Sequence, residues 1–240
     1  ASISFNIHST MSVEYITSIS YSTDNGNSWT TVNNIDDKEE NLVIPVNVSQ
    51  GDKVLWKGDA NQTGYDDGAS FFSSDCEFNV YGNVMSLLYG DDFSDKTELN
   101  YEDQLWWLFS DWDEEELCKV VDASNLILPA TTLAVGCYDS MFYNCTSLTT
   151  APELPATILA SNCYSYMFDG CTSLTTAPEL PATTLVNYCY YSMFNGCTSL
   201  NYIKCLATDI SASNCTNNWV QDVTVSGTFI KSFDAKWTEG

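Results

Sequence analysis

The chain has 240 residues, of which 44% are hydrophobic and 13% aromatic, so it holds enough apolar material for a packed core and is not a disordered chain. It carries 32 acidic residues against 8 basic ones, and the net charge of -24 would repel phosphate backbones, which excludes nucleic acid as a partner. No stretch approaches the roughly 20 apolar residues of a membrane span, so no membrane insertion is expected. The first residues show no signal-peptide pattern, so the chain is either not exported or begins after processing or domain trimming.

Residues 1–83 are predicted to form an all-β, immunoglobulin-like sandwich, because short apolar runs alternate with turn residues and no helical pattern intervenes. Such a domain would act as a spacer beneath the rest of the chain. The predicted strands are residues 2–7, 15–21, 29–32, 42–48, 53–57 and 76–80.

Two motifs in this region could carry chemistry. Ser-x-Asp-x-Gly-x-Ser-Trp at residues 22–29 resembles the Asp-box hairpins of sialidase propellers, but a single box without any arginine predicts a structural hairpin. Asp59 begins a sequence like a calcium loop, yet position twelve is Ser70 instead of Glu and no helices flank it. A solvated turn is expected there, with weak Ca²⁺ binding as the alternative.

The chain is predicted not to be an enzyme. Its one histidine, His8, lies on the first predicted strand, so a Ser-His-Asp or Cys-His arrangement has no other candidate. Carboxylates are abundant, which leaves a glycoside-cleaving pair as an alternative, but no spacing singles one out. The acidic run at residues 111–116 is interpreted as a solvated edge or as a site for a basic partner.

An internal repeat of 26 residues dominates the second half of the chain. Leu-Pro-Ala-Thr recurs at residues 128, 154 and 180, and residues 134–159 match residues 160–185 at 19 of 26 positions. A unit of this length cannot bury its apolar face alone, so the units are expected to stack. The apolar positions 137, 141, 142 and 145 have helical spacing, and a Pro-flanked extended piece precedes the next such segment.

Residues 84–240 are therefore predicted to form an α/β solenoid, with one short strand and one short helix per repeat. Caps are expected at about residues 100–127 and 201–240, where the repeat pattern is lost. The last residues, 237–240, have the character of an interrupted end.

The motif Met-Phe-x-x-Cys-Thr-Ser-Leu, followed by Leu-Pro, resembles the core of BspA-like leucine-rich repeats over about residues 100–230. Met stands where that family has Ala. The resemblance implies a leucine-rich-repeat fold and a cell-surface or secreted protein of the gut-bacterial type, used in adhesion and without catalytic residues.

Seven of the ten cysteines fall in two repeat columns, 137/163/189/215 and 145/171/197. No Cys-x-x-Cys pair supports a zinc site, and parallel Cβ vectors within a column disfavour bridging. The columns are therefore predicted to be buried free thiols. The pattern assigns no state to Cys76, Cys118 and Cys205.

The repeats differ mainly at positions 135, 136, 139, 140, 143 and 144 and at their equivalents, which would form one face of an α-helix. This face is rich in Tyr, Ser, Asn and Gly and lacks Lys and Glu, a composition typical of antibody paratopes. Weak constraint at exposed positions is the alternative explanation. The residues predicted to bind a ligand are Asp139, Ser140, Tyr143, Asn162, Ser165, Tyr166, Asp169, Tyr188, Tyr191 and Asn195.

These observations predict a monomeric, non-catalytic recognition or adhesion module that binds an extracellular protein or glycan through its repeats, at a cell surface or after secretion. No cofactor or metal is expected. The alternatives are a structural spacer or phage-type receptor-binding appendage domain, and a glycan-active enzyme.

Overall fold

The computed structural model describes residues 1–7, 16–33, 42–59, 64–65, 68–110 and 118–237. Nearly all the regular structure in these ranges is β. In chain order the strands are Ser2–Ile7 (β1), Ser18–Ser22 (β2), Thr30–Asn33 (β3), Leu42–Asn47 (β4), Leu55–Gly58 (β5), Gly64–Tyr65 (β6), Gly68–Ala69 (β7), Phe71–Ser74 (β8), Phe78–Asn83 (β9), Val120–Ile127 (β10), Tyr202–Cys205 (β11) and Thr228–Lys231 (β12). The helical elements are α1 (Ser86–Tyr89) and one 3-10 turn (Gly90–Asp92).

Two three-stranded antiparallel sheets form the N-terminal part, in the orders β4-β1-β8 and β3-β2-β5. The alternation along β1 places Phe5 and Ile7 in the core. The Trp56 ring on β5 has its centroid 6.1 Å from that of Phe5 and 5.4 Å from that of Phe72 on β8. The two sheets therefore pack face to face, an arrangement compatible with a β-sandwich.

The six predicted strands correspond to β1–β5 and β9, with ends that differ by a few residues. The prediction misses β8, because its Phe-Phe-Ser-Ser sequence lacks apolar alternation.

A parallel pair, β9 and β10, joins the two halves of the chain, with Val120 opposite Phe78 and Ile127 opposite Asn83. The predicted boundary after residue 83 coincides with the end of β9 and stays a prediction. Phe72 stacks on Phe109 at 5.8 Å, so one core continues from the sheets into the first repeat. The four-residue α1 follows β9, and no helix in the described ranges has the length and apolarity to cross a membrane.

The repeat segments that were predicted to be helices are chains of overlapping turns. Within residues 134–145 every second amide donates to the carbonyl three residues earlier, as Asp139 does to Gly136 at 3.0 Å. The amides between them donate to the next repeat, as Tyr138 does to Cys163 at 3.1 Å. The predicted α/β solenoid of leucine-rich repeats is therefore wrong, since the described residues contain one four-residue helix and it lies outside the repeats.

A left-handed residue at every fourth position produces this geometry. Gly136, Ser140 and Asn144 have φ of 61°, 55° and 54°. The resulting period is four residues, whereas an α-helix has 3.6 residues per turn and would drift by about 40° over each four-residue step. Isolated parallel bridges, such as Thr132 with Ile158, complete the stacking of the repeats on the opposite side. We call this stack, residues 98–237, the repeat array.

Ladders of identical aromatic side chains fill the interior of the repeat array. Phe142, Phe168 and Phe194 stack with centroids 5.5 and 5.7 Å apart and nearly parallel planes. A second ladder of Tyr138, Tyr164 and Tyr190 runs beside it, at spacings of 5.7 and 6.1 Å. Each repeat thus buries its apolar pairs only against its neighbours, as expected for a stacked array.

The ends of the array differ from its middle. At the C-terminal end β11 and β12 pair in parallel, and Trp219 stacks on Tyr190 at 6.3 Å. The Trp237 indole closes this end by donating to the carbonyl of Ala207 at 2.9 Å. The acidic insertion at residues 111–116 lies outside the described residues.

The cysteine columns are buried, but one member is not a free thiol. Cys145 forms a disulfide with Cys118, with the Cα atoms 4.6 Å apart. Cys118 precedes β10 and lies outside the regular repeat, so its Cα–Cβ bond is not held parallel to that of Cys145. The parallel orientation that disfavours a disulfide within a column therefore does not apply to this pair. Cys76 and Cys205 are free, as are the remaining column members.

Candidate functional site

The four-residue period sorts each turn segment into two inward and two outward residues in alternation. Cys137, Tyr138, Met141 and Phe142 are fully buried, and the pairs between them point away from the core. We call the outward residues at 135, 136, 139, 140, 143, 144, their equivalents in the next two repeats, and Trp106 and Trp107 the turn face. Its backbone is held in place by hydrogen bonds, because the amides at 136, 139, 140, 143, 144 and their equivalents are bonded within their repeat or to the next.

The structure places all ten predicted ligand-binding residues on three consecutive turn segments. Most keep partial exposure and Tyr188 is 38% exposed, whereas Ser140, Ser165 and Asp169 are buried. Asn162 and Ser165 join the others through backbone hydrogen bonds, such as that from the Ser140 amide to the Ser165 carbonyl at 2.9 Å. Their role in binding stays a prediction, and their packing makes the surface less open than a helical face would be.

Three tyrosines form a contiguous cluster on this face. The Tyr166 and Tyr191 rings meet edge to face at 5.3 Å, and Tyr188 packs against Tyr191 at 5.7 Å. Burial raises the pKa of Tyr166 to about 12, helped by a hydrogen bond with the Tyr191 hydroxyl. The Tyr166 hydroxyl therefore stays neutral at physiological pH and remains able to donate and accept hydrogen bonds.

Two tryptophans continue the row of aromatic side chains toward the N-terminal sheets, of which Trp106 is partly exposed and Trp107 is buried. The Trp107 ring lies 5.0 Å from that of Tyr143 and 6.3 Å from that of Trp106. Trp107 belongs to the same column as Ser140, because its amide donates to the carbonyl of Asp139. The sequence pattern assigns Trp106 and Trp107 to the predicted cap, so they are not among the predicted ligand-binding residues. The signal was present in the alternation of Trp-Trp with Leu108 and Phe109, which follows the period of four.

Two carboxyl groups lie among these rings. Asp139 accepts a hydrogen bond from Ser140 Oγ at 2.6 Å, and burial of the carboxyl, reinforced by the nearby Asp103, raises its pKa to about 7. Asp169 accepts from Asn195 Nδ2 at 2.9 Å, and burial raises its pKa to about 6. At neutral pH the face therefore offers carboxyl groups close to their titration midpoints, which can accept hydrogen bonds and, when protonated, donate them.

Aromatic residues occupy backbone positions that disfavour them. Trp107, Tyr166 and Tyr188 have φ of 55°, 52° and 58°, in the left-handed region. That region costs a residue with a side chain roughly 1–2 kcal/mol, and Gly or Asn adopt it most readily. Equivalent positions in other repeats hold Ser140, Asn162, Ser192 and Asn214.

The same requirement accounts for part of the composition that suggested a paratope. Gly136, Asn144, Asn162, Gly170 and Gly196 all have positive φ, so their residue types follow from the backbone. Only the aromatic and carboxyl residues of the turn face therefore favour ligand binding.

The two motifs of the N-terminal part do not form a comparable candidate binding site. The Asp24 carboxylate accepts hydrogen bonds from the Ser28 amide at 2.9 Å and from Ser22 Oγ at 2.7 Å. Its hydrogen bonds with Ser28, followed by the one with Ser22, lower the pKa of Asp24 to about 2. This arrangement is that of a structural hairpin. Asp59 accepts hydrogen bonds from Thr17 and Ser18. His8 lies outside the described residues, as do Asp66 and Asp67, the carboxylates within the calcium-like sequence that would support weak Ca²⁺ binding. Within those that are described, no three His, Cys, Asp or Glu side chains are grouped to hold a metal ion.

The threonine pairs on the opposite side form a rival surface. Thr149, Thr150, Thr175 and Thr176 are exposed, and Thr149 Oγ1 donates to the Val121 carbonyl at 2.9 Å. A hydroxyl in the ladder is thus already committed to joining the repeats, which favours a structural role.

Comparison with family models, with curated proteins and with solved structures finds no match to this chain.

Proposed function

We propose that this protein is a non-catalytic recognition module, acting at a cell surface or after secretion, that binds an extracellular ligand through the turn face. The observation that carries the proposal is the placing of two side chains that keep solvent exposure, Tyr166 and Tyr188, at left-handed positions. Residues kept in a disfavoured conformation where Ser, Asn or Gly would relieve it point to a role other than folding.

The chemistry of the face favours a glycan over a protein. Partly exposed rings at Tyr166, Tyr188 and Tyr191 offer flat apolar surfaces to the C–H faces of sugar rings. Asp139 and Asp169 lie beside them and supply hydrogen-bonding groups for sugar hydroxyls. The face also lacks Lys and Glu side chains, whose flexible ends would lose entropy on binding.

A structural spacer or appendage domain is the second candidate. The observation in its favour is the continuous aromatic core, in which Phe72, Phe109 and Phe142 stack in succession at 5.8 and 5.1 Å. Such a core would make the molecule a stiff rod without any need for a ligand. The spacer leaves the left-handed tyrosines unexplained, and we therefore place it second.

The test is a screen of the intact chain against a glycan array and immobilised extracellular-matrix proteins. A variant with Tyr143, Tyr166, Tyr188 and Tyr191 changed to Ala is screened beside it. A matched control changes Tyr101 and Tyr202, which lie off the turn face, to Ala. The proposal expects the intact chain and the control to bind the same ligands and the turn-face variant to bind at least tenfold more weakly, with its fold checked by circular dichroism.

Binding retained by the turn-face variant would move the site to the threonine surface or to the N-terminal sheets. A chain that binds nothing in either screen would leave the spacer as the better account. Assaying the bound glycans for cleavage products covers the enzyme alternative, for which Asp139 and Asp169 are the carboxyl groups to substitute.

A further inference from the structure

A large cavity lies between the N-terminal sheets and the β9–β10 pair, and none of its lining residues belongs to the turn face. Its volume is about 960 Å³, within the range of small-molecule sites in proteins. Apolar and aromatic side chains dominate the lining, which includes Trp29, Trp56, Phe72, Phe78, Val80 and Leu126.

The topology explains why the cavity is open. β5 and β8 are edge strands of their respective sheets, and β9 pairs with β10 and not with either of them. The sandwich is therefore not closed on this side. All four residues of β5 are only partly buried, Leu55 and Trp56 among them. Apolar surface left uncovered inside a concavity is the usual mark of a ligand site.

Charged groups lie at the cavity too, and nearly all already have partners. Lys57 Nζ bonds both carboxylate oxygens of Asp91 at 2.8 Å. Asp52 accepts from the Ser49 amide at 2.8 Å, and Glu77 accepts from a serine hydroxyl of the repeat array at 3.3 Å.

Among the charged side chains at the cavity, Lys53 is the exception. Its ammonium lies 5.5 Å from the centroid of the Tyr81 ring, and within the described part of the chain no carboxylate approaches it to ion-pair distance. The residue is exposed and lines the cavity. The chain has a net charge of -24. An ammonium group without a carboxylate partner beside an apolar cavity is complementary to a ligand with an anionic head group and an apolar body.

We propose that this cavity binds a small amphipathic carboxylate, with its apolar body against Trp56, Phe72 and Val80 and its carboxylate at Lys53. The site is separate from the turn face and adds a ligand class that the proposed recognition function does not require.

The experiment is isothermal titration calorimetry of the intact chain with dodecanoate, dodecanol and dodecyltrimethylammonium as probes. We expect dodecanoate to bind at one site and about tenfold more tightly than dodecanol, the size of effect that one charge-assisted hydrogen bond gives. Lys53→Gln should remove that preference and leave dodecanol binding unchanged. Lys236→Gln, an exposed lysine at the far end of the array, is the matched control and should behave like the wild type.

A second variant, Val54→Trp, places a large side chain in the cavity from a position outside the strands and should abolish binding of all three probes. Circular dichroism and the melting temperature verify that both variants fold. Failure of dodecanoate to bind at millimolar concentration overturns the proposal. So does a Lys53→Gln variant that still prefers dodecanoate, or dodecyltrimethylammonium binding as tightly as dodecanoate.

Discussion

At the scale of single residues, the turn face combines two conflicting demands. The backbone calls for Gly or Asn at every fourth position, and the surface nevertheless carries Tyr at two of them, Tyr166 and Tyr188. Sites that give up stability for binding generally show such local conflicts. The conflict makes separate predictions for stability and for binding.

Changing Tyr188 to Asn should stabilise the protein by about 0.5–1 kcal/mol, because Asn tolerates the left-handed conformation and loses less ring contact at a site already 38% exposed. Urea unfolding measures the change. The matched control is Tyr191→Asn, at a position without positive φ, which should destabilise by a similar amount through lost packing. A Tyr188→Asn variant less stable than the wild type would contradict the account.

Asp139 should make stability depend on pH. Its pKa rises from 3.8 when unfolded to about 7 when folded, so the folded state holds more protons between these values. The free energy of unfolding should therefore fall as pH rises from about 4 to about 7, by on the order of 4 kcal/mol from this group. Asp139→Asn should flatten that part of the profile in urea unfolding at pH 4, 5, 6, 7 and 8. Parallel profiles for variant and wild type would show that the carboxyl is not buried as described.

At the scale of elements, the sequence predicted which side chains face inward but not the backbone that turns them inward. Positions 137, 141, 142 and 145 fit both a 3.6 and a 4.0 period over so short a segment, so their spacing does not distinguish an α-helix from a four-residue turn repeat. The decisive signal was Gly or Asn at 136 and 144 and again, one repeat later, at 162 and 170, a spacing of eight residues within each repeat. Such residues mark left-handed backbone and argue against a helix.

The close stacking of turn segments gives a test at this scale. A Cβ added to Gly170, with φ of 74°, would collide with Oδ1 of Asn144 in the preceding repeat. Gly170→Ala should therefore destabilise by roughly 2–3 kcal/mol, the sum of the left-handed cost and of repacking. Gly51→Ala, with φ of 91° and open space around it, should show only the backbone cost of about 1 kcal/mol. Equal effects of the two substitutions in urea unfolding would rule out the close approach.

At the scale of the whole molecule, the 26-residue identity predicted a stack, and alternation predicted a β-rich N-terminal part. Neither pattern indicated how the repeat array joins the N-terminal part. The parallel β9–β10 pair links strands whose sequences are separated by 36 residues, from Asn83 to Val120, and such long-range pairing leaves no local signature. The Cys118–Cys145 disulfide was not predicted either. Its sequence separation is 27, so Cys118 lies one residue out of the 26-residue repeat register.

That bridge should stabilise the junction between the first repeat and β10. It closes a loop with a sequence separation of 27, for which restriction of the unfolded chain gives roughly 3 kcal/mol. Reduction with a phosphine should therefore lower the melting temperature of the wild type by several degrees. A Cys118→Ala, Cys145→Ala variant should start lower and not respond to the reductant. An equal response in both proteins would assign the effect to another cysteine.

The central claim is that Tyr166 and Tyr188 are kept for binding at the expense of folding. The most direct measurement compares the double variant Tyr166→Asn, Tyr188→Asn with the wild type, for urea stability and for affinity toward the strongest ligand in the screen. The account predicts stability equal to or above that of the wild type together with affinity reduced at least tenfold. Affinity equal to that of the wild type, with stability raised, would contradict it and leave the tyrosines without a role in recognition.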